Sequence, residues 1–251
     1  MAQPTTAMKT HRFGKVVEAP EISGIAEVEE VPVPDEVAEA MEKAIRDGDS
    51  QALSAAIAKV PPGARVSQSP TRKAESLLHL AAELGYFKCA RVVFSEGKVP
   101  IDIALRDKTQ PLHHAAANAH EAAIVFFVEN GADIECKNVH GETPLHLCAK
   151  ARDLARKDLY VNCINRLVEL KGNIEAQDNS QYTPLHKAAQ AGDINIAKCL
   201  LNNKADPAAK DMFGHNALEM AEERGHVALV NYFKKNGKKV KGKDGEKCVI
   251  S

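Results

Sequence analysis

This sequence predicts an all-α solenoid of about six stacked helix pairs with short β-hairpin or turn tips, and three observations carry that prediction. The segment Thr143-Pro144-Leu145-His146 recurs as Thr183-Pro184-Leu185-His186 and, in altered form, as Ser76-Leu77-Leu78-His79, Gln110-Pro111-Leu112-His113 and Asn216-Ala217-Leu218-Glu219. The anchors recur at a near-constant spacing with one longer interval: from His79 through His113, His146 and His186 to Glu219 the intervals are 34, 33, 40 and 33 residues, and a period of that size marks stacked supersecondary units. Each anchor opens an alanine-rich stretch, and a second apolar run follows it. That pattern reads as two helices per unit.

Taken in order, units at about 74–106, 108–140, 141–180, 181–213 and 214–236 each begin near their anchor. Pro144 and Pro184 suit the first turn of a helix, where a missing N–H removes no intrahelical bond. The threonine before each supplies an N-cap oxygen to the orphan amides. Leucine and the paired alanines then form an apolar stripe whose small side chains let neighbouring helices approach closely. The anchor histidines read as buried imidazoles that satisfy backbone or hydroxyl groups inside the repeat. Zinc binding or catalysis is the lesser alternative, because His113-His114 is an adjacent pair and no two cysteines have metal-ligand spacing. Gly131-Ala132-Asp133, Gly172-Asn173 and Ala205-Asp206 read as helix ends leading into tips such as Asn138-Val139-His140-Gly141 and Asp178-Asn179-Ser180. The one long interval places seven extra residues, Arg152–Asp158, between the helices of one unit. Their helix-forming composition is expected to lengthen that pair by about two turns.

Period and anchor together resemble the ankyrin repeat family, whose unit of a β-turn plus two helices spans about 33 residues and carries T-P-L-H-x-A. The resemblance covers residues 36–236. It implies that 36–63 is an N-terminal capping repeat, since Ala44-Ile45-Arg46-Asp47-Gly48-Asp49 aligns with Ala188-Ala189-Gln190-Ala191-Gly192-Asp193 although no anchor precedes it. It makes 214–236, with Asn216 and Glu219 replacing Thr and His, the opposite cap. Lys108 and Gln181 stand where that family usually has a tip glycine. Ankyrin-like chains are generally protein-binding scaffolds without activity of their own, so the resemblance implies a non-enzyme that holds another protein through its hairpin tips and first helices. Aligning the tips places Arg106, Val139, His140, Tyr182, Met212 and Phe213 in solvent as partner-binding residues. Tyr, Phe, Met and Arg are the types favoured at interfaces. Glu83, Asn118, Lys150, Gln190 and Glu222 on the first helices complete the strip, with mixed charge that singles out no partner class.

Composition narrows the alternatives. With 251 residues, 44% apolar and 27% charged, the chain can bury a sizeable core. No apolar run approaches the roughly 18 residues of a membrane-spanning helix. The absence of Trp and an aromatic content of 4% disfavour nucleic acid as a partner through base stacking. No phosphate loop, dinucleotide fingerprint, zinc-protease helix or nucleophile elbow is present, so no small-molecule substrate and no metal is expected. The chain is expected to be monomeric. Six dispersed cysteines and an N-terminus without an apolar signal core point to a reducing compartment. Cys89, Cys148, Cys163 and Cys199 fall in apolar helical stretches and read as inert thiols, whereas Cys136, near a tip, is expected to be more exposed.

The ends differ from the repeats. Residues 1–35 carry six acidic and three basic side chains and are expected to be disordered. Beyond Phe233 come Lys234, Lys235, Lys238, Lys239, Lys241, Lys243 and Lys247, against Asp244 and Glu246. Residues 237–251 read as a flexible polybasic tail closing on Cys248-Val249-Ile250-Ser251, which resembles a CaaX prenylation box. The terminal Ser implies a farnesyl group on Cys248, the one covalent addition expected in a chain with no other cofactor. One lipid chain holds a membrane only marginally, and each nearby lysine adds about 1 kcal/mol toward an anionic surface. The expected location is the cytoplasmic face of a membrane. The alternative is a soluble cytosolic or nuclear regulator whose basic tail is a nuclear-import or acidic-partner signal.

Overall fold

A computed structural model describes residues 33–61, 64, 76–150 and 154–236. Among them the chain forms six helix pairs: α1 Asp35–Arg46 with α2 Ser50–Ile57, α3 Leu77–Leu84 with α4 Phe87–Ser95, α5 Pro111–Ala117 with α6 Glu121–Glu129, α7 Pro144–Ala149 with α8 Lys157–Glu169, α9 Pro184–Ala191 with α10 Ile194–Asn202, and α11 Ala217–Glu223 with α12 Val227–Asn236. First helices pack on first helices from α1 and α3 through α11, and second helices on second helices from α2 through α12. The alanine pairs explain how closely the first row packs: Ala81, Ala82, Ala115, Ala116, Ala188 and Ala189 are fully buried, and Cys148 takes the alanine place beside Ala149 in α7. Longer side chains, among them Phe127, Ile124, Ile164, Leu167 and Leu200, fill the layer beneath the second helices.

The anchor histidines bind each unit to the next. His146 Nδ1 accepts the Thr143 amide at 3.2 Å and meets Thr143 Oγ1 at 2.9 Å, capping its own helix. An Nδ1 that accepts an N–H leaves the proton on Nε2, which therefore donates to the Tyr182 carbonyl of the following unit at 2.8 Å. His113 and His186 repeat this, with Nε2 on the carbonyls of Glu142 (3.1 Å) and His215 (3.2 Å), and His79 Nε2 meets the Thr109 carbonyl at 3.1 Å. In the last described unit Glu219 Oε2 accepts the Asn216 amide at 2.8 Å while Asn216 Oδ1 accepts the Glu219 amide at 3.0 Å, a reciprocal cap that reaches no further unit. Two more histidines link backward. His120 Nε2 meets the Glu83 carbonyl at 2.9 Å and His226 Nε2 the Gln190 carbonyl at 3.1 Å. Each ring lies over a helix-ending glycine with positive φ, Gly85 or Gly192, where a Cβ would fall 2.3 or 2.5 Å from Nδ1.

The structure also defines the tips and the inserted segment. Among the described residues no strand forms: the tips are turns, closed by bonds such as Asn138 N to Glu142 O (3.2 Å) and Asp178 N to Tyr182 O (3.0 Å). Where Gly141 and Gly214 have φ of 74° and 85°, Lys108 and Gln181 adopt 60° and 59°, so the turn shape persists without glycine. The extra residues before α8 add about two turns, one 3₁₀ and one α-helical. A short 3₁₀ turn, Leu154–Arg156, leads into α8, whose 13 residues exceed the 9 of α6 and of α10. First-helix length is held by the stack, so the surplus goes to the start of α8, where Lys157 Nζ lies 3.3 Å from Asp193 Oδ2 of the next unit.

Candidate functional site

Successive tips are tied side by side. Val139 N donates to Asp107 O (2.8 Å), Asn179 N to His140 O (3.0 Å) and Met212 N to Ser180 O (3.1 Å). Because backbone makes these links, with the Asn179 side chain adding a bond to the Val139 carbonyl at 2.8 Å, the other tip side chains are free to vary. Arg106, Val139, His140, Met212 and Phe213 all stand exposed. They do not form one strip: Arg106, Val139 and His140 adjoin, but the polar tip Asn179-Ser180 separates them from Met212 and Phe213. Tyr182 differs as well. It follows the positive-φ residue of its turn rather than occupying the tip, is half-buried against the core, and packs on His186 with ring centres 5.9 Å apart. Repeat register makes Ser180, two residues earlier, the counterpart of the exposed His140 and Phe213.

Beside the first group of tips lies a groove of about 630 Å³ on the first-helix face. Glu83, Asn118 and Lys150 line it, together with Asp107, His114 and His140; Gln190 and Glu222 do not. The tips and α3, α5 and α7 thus present acidic, amide, imidazole and ammonium groups within one concavity, a surface suited to polar contacts with a partner.

The charged centre of this face escaped the sequence reading. Lys187, 7% exposed, sits 2.6 Å from Asp178 Oδ2 and 3.0 Å from Glu142 Oε1, and Lys150 Nζ lies 2.6 Å from the same Glu142 oxygen. The Lys187 ammonium also lies 5.1 Å from the centre of the Tyr182 ring. Burial alone would raise the Glu142 pKa, but Lys150 and Lys187 outweigh it and bring it down to about 2. Burial would lower Lys187, but Asp178 and Glu142 reverse that and raise it. The recurrence of Asn138, Asp178 and Asp211 five residues before each Thr143, Thr183 and Asn216 was the available signal.

Catalytic chemistry finds no support in the cysteines. Cys136 is buried, contrary to expectation, because its place in the turn corresponds to that of Ala176 and points inward. Burial pushes its thiol up to about 12. His113 Nδ1 lies 3.6 Å away but is already the cap acceptor, so no thiolate–imidazolium pair forms. Burial likewise raises Cys89 and Cys199; Cys148 is raised by its contact with Cys163 and by burial. No group of three potential metal ligands occurs among the described residues, and none of their helices is long and apolar enough to cross a membrane. Of the expected membrane-facing lysines, Lys234 and Lys235 fall within α12, where Lys234 Nζ lies 2.7 Å from Glu222 Oε1. Lys238, Lys239, Lys241, Lys243, Lys247 and Cys248 lie outside the described residues.

A family model described as "Ankyrin repeats (3 copies)" matches residues 78–157 and 153–244. Ankyrin repeat and SOCS box protein 16 of Mus musculus is 31% identical over 112 residues, 44% of this chain and 25% of that protein. Probable E3 ubiquitin-protein ligase XBOS34 of Oryza sativa subsp. japonica is 34% identical over 102 residues, 40% of this chain and 19% of that protein. Ankyrin repeat domain-containing protein 53 of Homo sapiens is 32% identical over 82 residues, 31% of this chain and 16% of that protein. The matches span a quarter or less of each of these relatives.

Proposed function

We propose, since the chain belongs to the ankyrin repeat family, that it is a non-catalytic protein-binding scaffold that engages its partner through the turn tips and first helices. One observation carries the reading: the backbone bonds linking the tips leave Arg106, Val139, His140, Met212 and Phe213 in solvent, although the fold does not need them there. A photo-cross-linking residue at position 213 or 139 of the protein in its native cell is expected to give a discrete adduct. The same probe at Leu159, exposed on α8, is the control. Adducts from position 159 alone would overturn the assignment of the face. The SOCS box and ligase names belong to the relatives that carry them.

The finer part of the proposal is location. A farnesylated Cys248 and the lysines from Lys234 to Lys247 hold the scaffold at the cytoplasmic face of a membrane, raising its effective concentration toward partners there. The support is the Cys248-Val249-Ile250-Ser251 motif and its lysine-rich approach. The reading requires those four residues to stand last in the native polypeptide. Intact mass of the native protein tests both points, since a farnesylated, methylated species lacking Val249–Ser251 is expected. Unchanged membrane partition of Cys248→Ser would instead favour the soluble cytosolic or nuclear regulator.

A further inference from the structure

Asp178 and Asp211 occupy the same place in consecutive turns, and one oxygen of each does the same work. Asp178 Oδ1 accepts the amides of Ser180 and Tyr182 at 2.8 and 2.9 Å; Asp211 Oδ1 accepts those of Phe213 and His215 at 2.9 and 2.8 Å. The second oxygens differ. Asp178 Oδ2 lies 2.6 Å from Lys187 Nζ, whereas Asp211 Oδ2 is buried with no hydrogen-bond partner, in a residue only 4% exposed. One residue accounts for this: the helix position of Lys187, three after Pro184, is held in α11 by Met220, three after Ala217. The imidazole that senses the Asp211 charge, His186, has Nδ1 engaged by the Thr183 amide and Nε2 by the His215 carbonyl.

The turn itself does not require this charge. Asn138 closes the equivalent turn with a neutral amide, its Oδ1 accepting the amides of His140 at 2.9 Å and Glu142 at 3.0 Å. A buried carboxylate without a counter-charge is costly, yet it is kept where an amide would serve. Its surroundings favour a cation. From Asp211 to Glu223 the chain carries four carboxylates and no lysine or arginine; of these Glu222 pairs with Lys234, Glu223 lies 3.5 Å from His215, and Glu219 caps its helix. Beside Asp211 stand Phe213 and Met212, 67% and 55% exposed.

We infer that Asp211, with Phe213 and Met212, forms a slot for one arginine or lysine side chain of a protein partner. The slot rests on the protein-binding reading and names the partner's chemistry. One unit earlier the protein provides the internal equivalent, Lys187 held between Asp178 and the Tyr182 ring. In the last described unit the partner supplies the cation; His215 stands at the Tyr182 position, and the exposed Phe213, whose ring centre lies 6.4 Å from that of His215, supplies a ring face to it. Met220, buried in α11, holds the register position from which Lys187 reaches Asp178 one unit earlier. Its unbranched, adaptable thioether is the side chain that moves aside.

The test pans a random heptapeptide phage library on the full chain, then measures synthetic versions of the enriched peptides on the wild type, Asp211→Asn and Met220→Lys. The slot requires enriched sequences to share an arginine or lysine next to an apolar residue, and to bind the wild type at least tenfold more tightly than either variant. Met220→Lys fills the slot from within, so its thermal midpoint is expected to rise. Should Asp211→Asn fail to fold, Met220→Lys carries the comparison alone. Peptides lacking a basic residue, or indifferent to both substitutions, refute the slot and leave the binding face standing; a library that yields no binder removes both.

Discussion

Protonating His146 should weaken the stack, and the structure sets the size of the effect. The ring is fully buried, its Nδ1 accepts the Thr143 amide, and its Nε2 donates to the Tyr182 carbonyl. A second ring proton would therefore face another N–H. Burial lowers its pKa to about 4, with the Tyr182 carbonyl pulling weakly the other way. In the unfolded chain a histidine titrates near 6.5. Below that value the unfolded state binds more protons, so the stability His146 contributes is complete above about pH 6.5 and is lost as pH falls toward 4. Between pH 7.5 and 5.0 the loss from this residue alone is about 2 kcal/mol. The carboxylate and ammonium beside it do not obscure the window: Glu142, brought down to about 2, loses its contribution only below the ordinary carboxylate range, and Lys187, raised, only at strongly alkaline pH. Urea denaturation of the wild type and His146→Gln at both pH values measures the difference. The variant is expected to be less stable at pH 7.5 but to lose about 2 kcal/mol less on acidification. An unchanged pH dependence in the variant would refute the argument, whatever its stability at pH 7.5.

Other predictions follow from single geometries. Gln181→Gly relieves a side chain held at φ 59°; the left-handed penalty, offset by the freer unfolded glycine, leaves a gain of about 0.5–1 kcal/mol in denaturation midpoints. Gly192→Ala combines φ 73° with a Cβ 2.5 Å from His226 Nδ1 and should lower stability by about 2–3 kcal/mol, measured by urea titration. Lys187→Met leaves Asp178 without its cation and Glu142 with Lys150 alone and should cost about 3–5 kcal/mol in the same titration. Phe213→Ala should leave the unfolding free energy within about 0.5 kcal/mol of wild type while weakening binding of peptides selected on the wild type; unchanged binding would remove Phe213 from the face.

The fold was legible because its signals are local. A proline after a threonine starts a helix whatever lies beyond, and the alanine pairs must be buried wherever that helix packs. The histidines could be read as buried and satisfied from the same short segment, although their Nε2 acceptors, about 30 residues away, could not. The face was less legible because a turn has no period. Tyr182 and Cys136 both lie near tips in sequence, yet the turn directs one against His186 and the other beside His113. The same difficulty shifted Asn118 and Glu222 by one position: repeat register makes Ala117 and Glu223 the counterparts of Lys150 and Gln190. The Lys187 network was hidden for another reason. Its three elements come from two units, and a lysine in an alanine-rich helix reads as solvated until its carboxylates are placed.

Residues that define these repeats divide their polar atoms between their own unit and the next, and that division decides which departures carry information. An anchor histidine caps its helix with Nδ1 and bonds the following unit with Nε2. Glu219 keeps the first task and lacks the second, a departure that leaves no group unsatisfied. At the position before each second helix the same economy holds: Asp49 and Asp193 cap their own helices, while His120 and His226 reach back to the preceding unit. In the fourth unit the extra residues displace that position, and the ion pair from Lys157 to Asp193 makes the link forward instead. Each of these substitutions is closed within the chain. Met220 is not, because it removes the cation and leaves the carboxylate. Loss of a forward contact explains Glu219 but not Asp211, where asparagine would have kept the turn at lower cost. Position 211 is therefore where selection for the fold and selection for binding can be separated by one substitution.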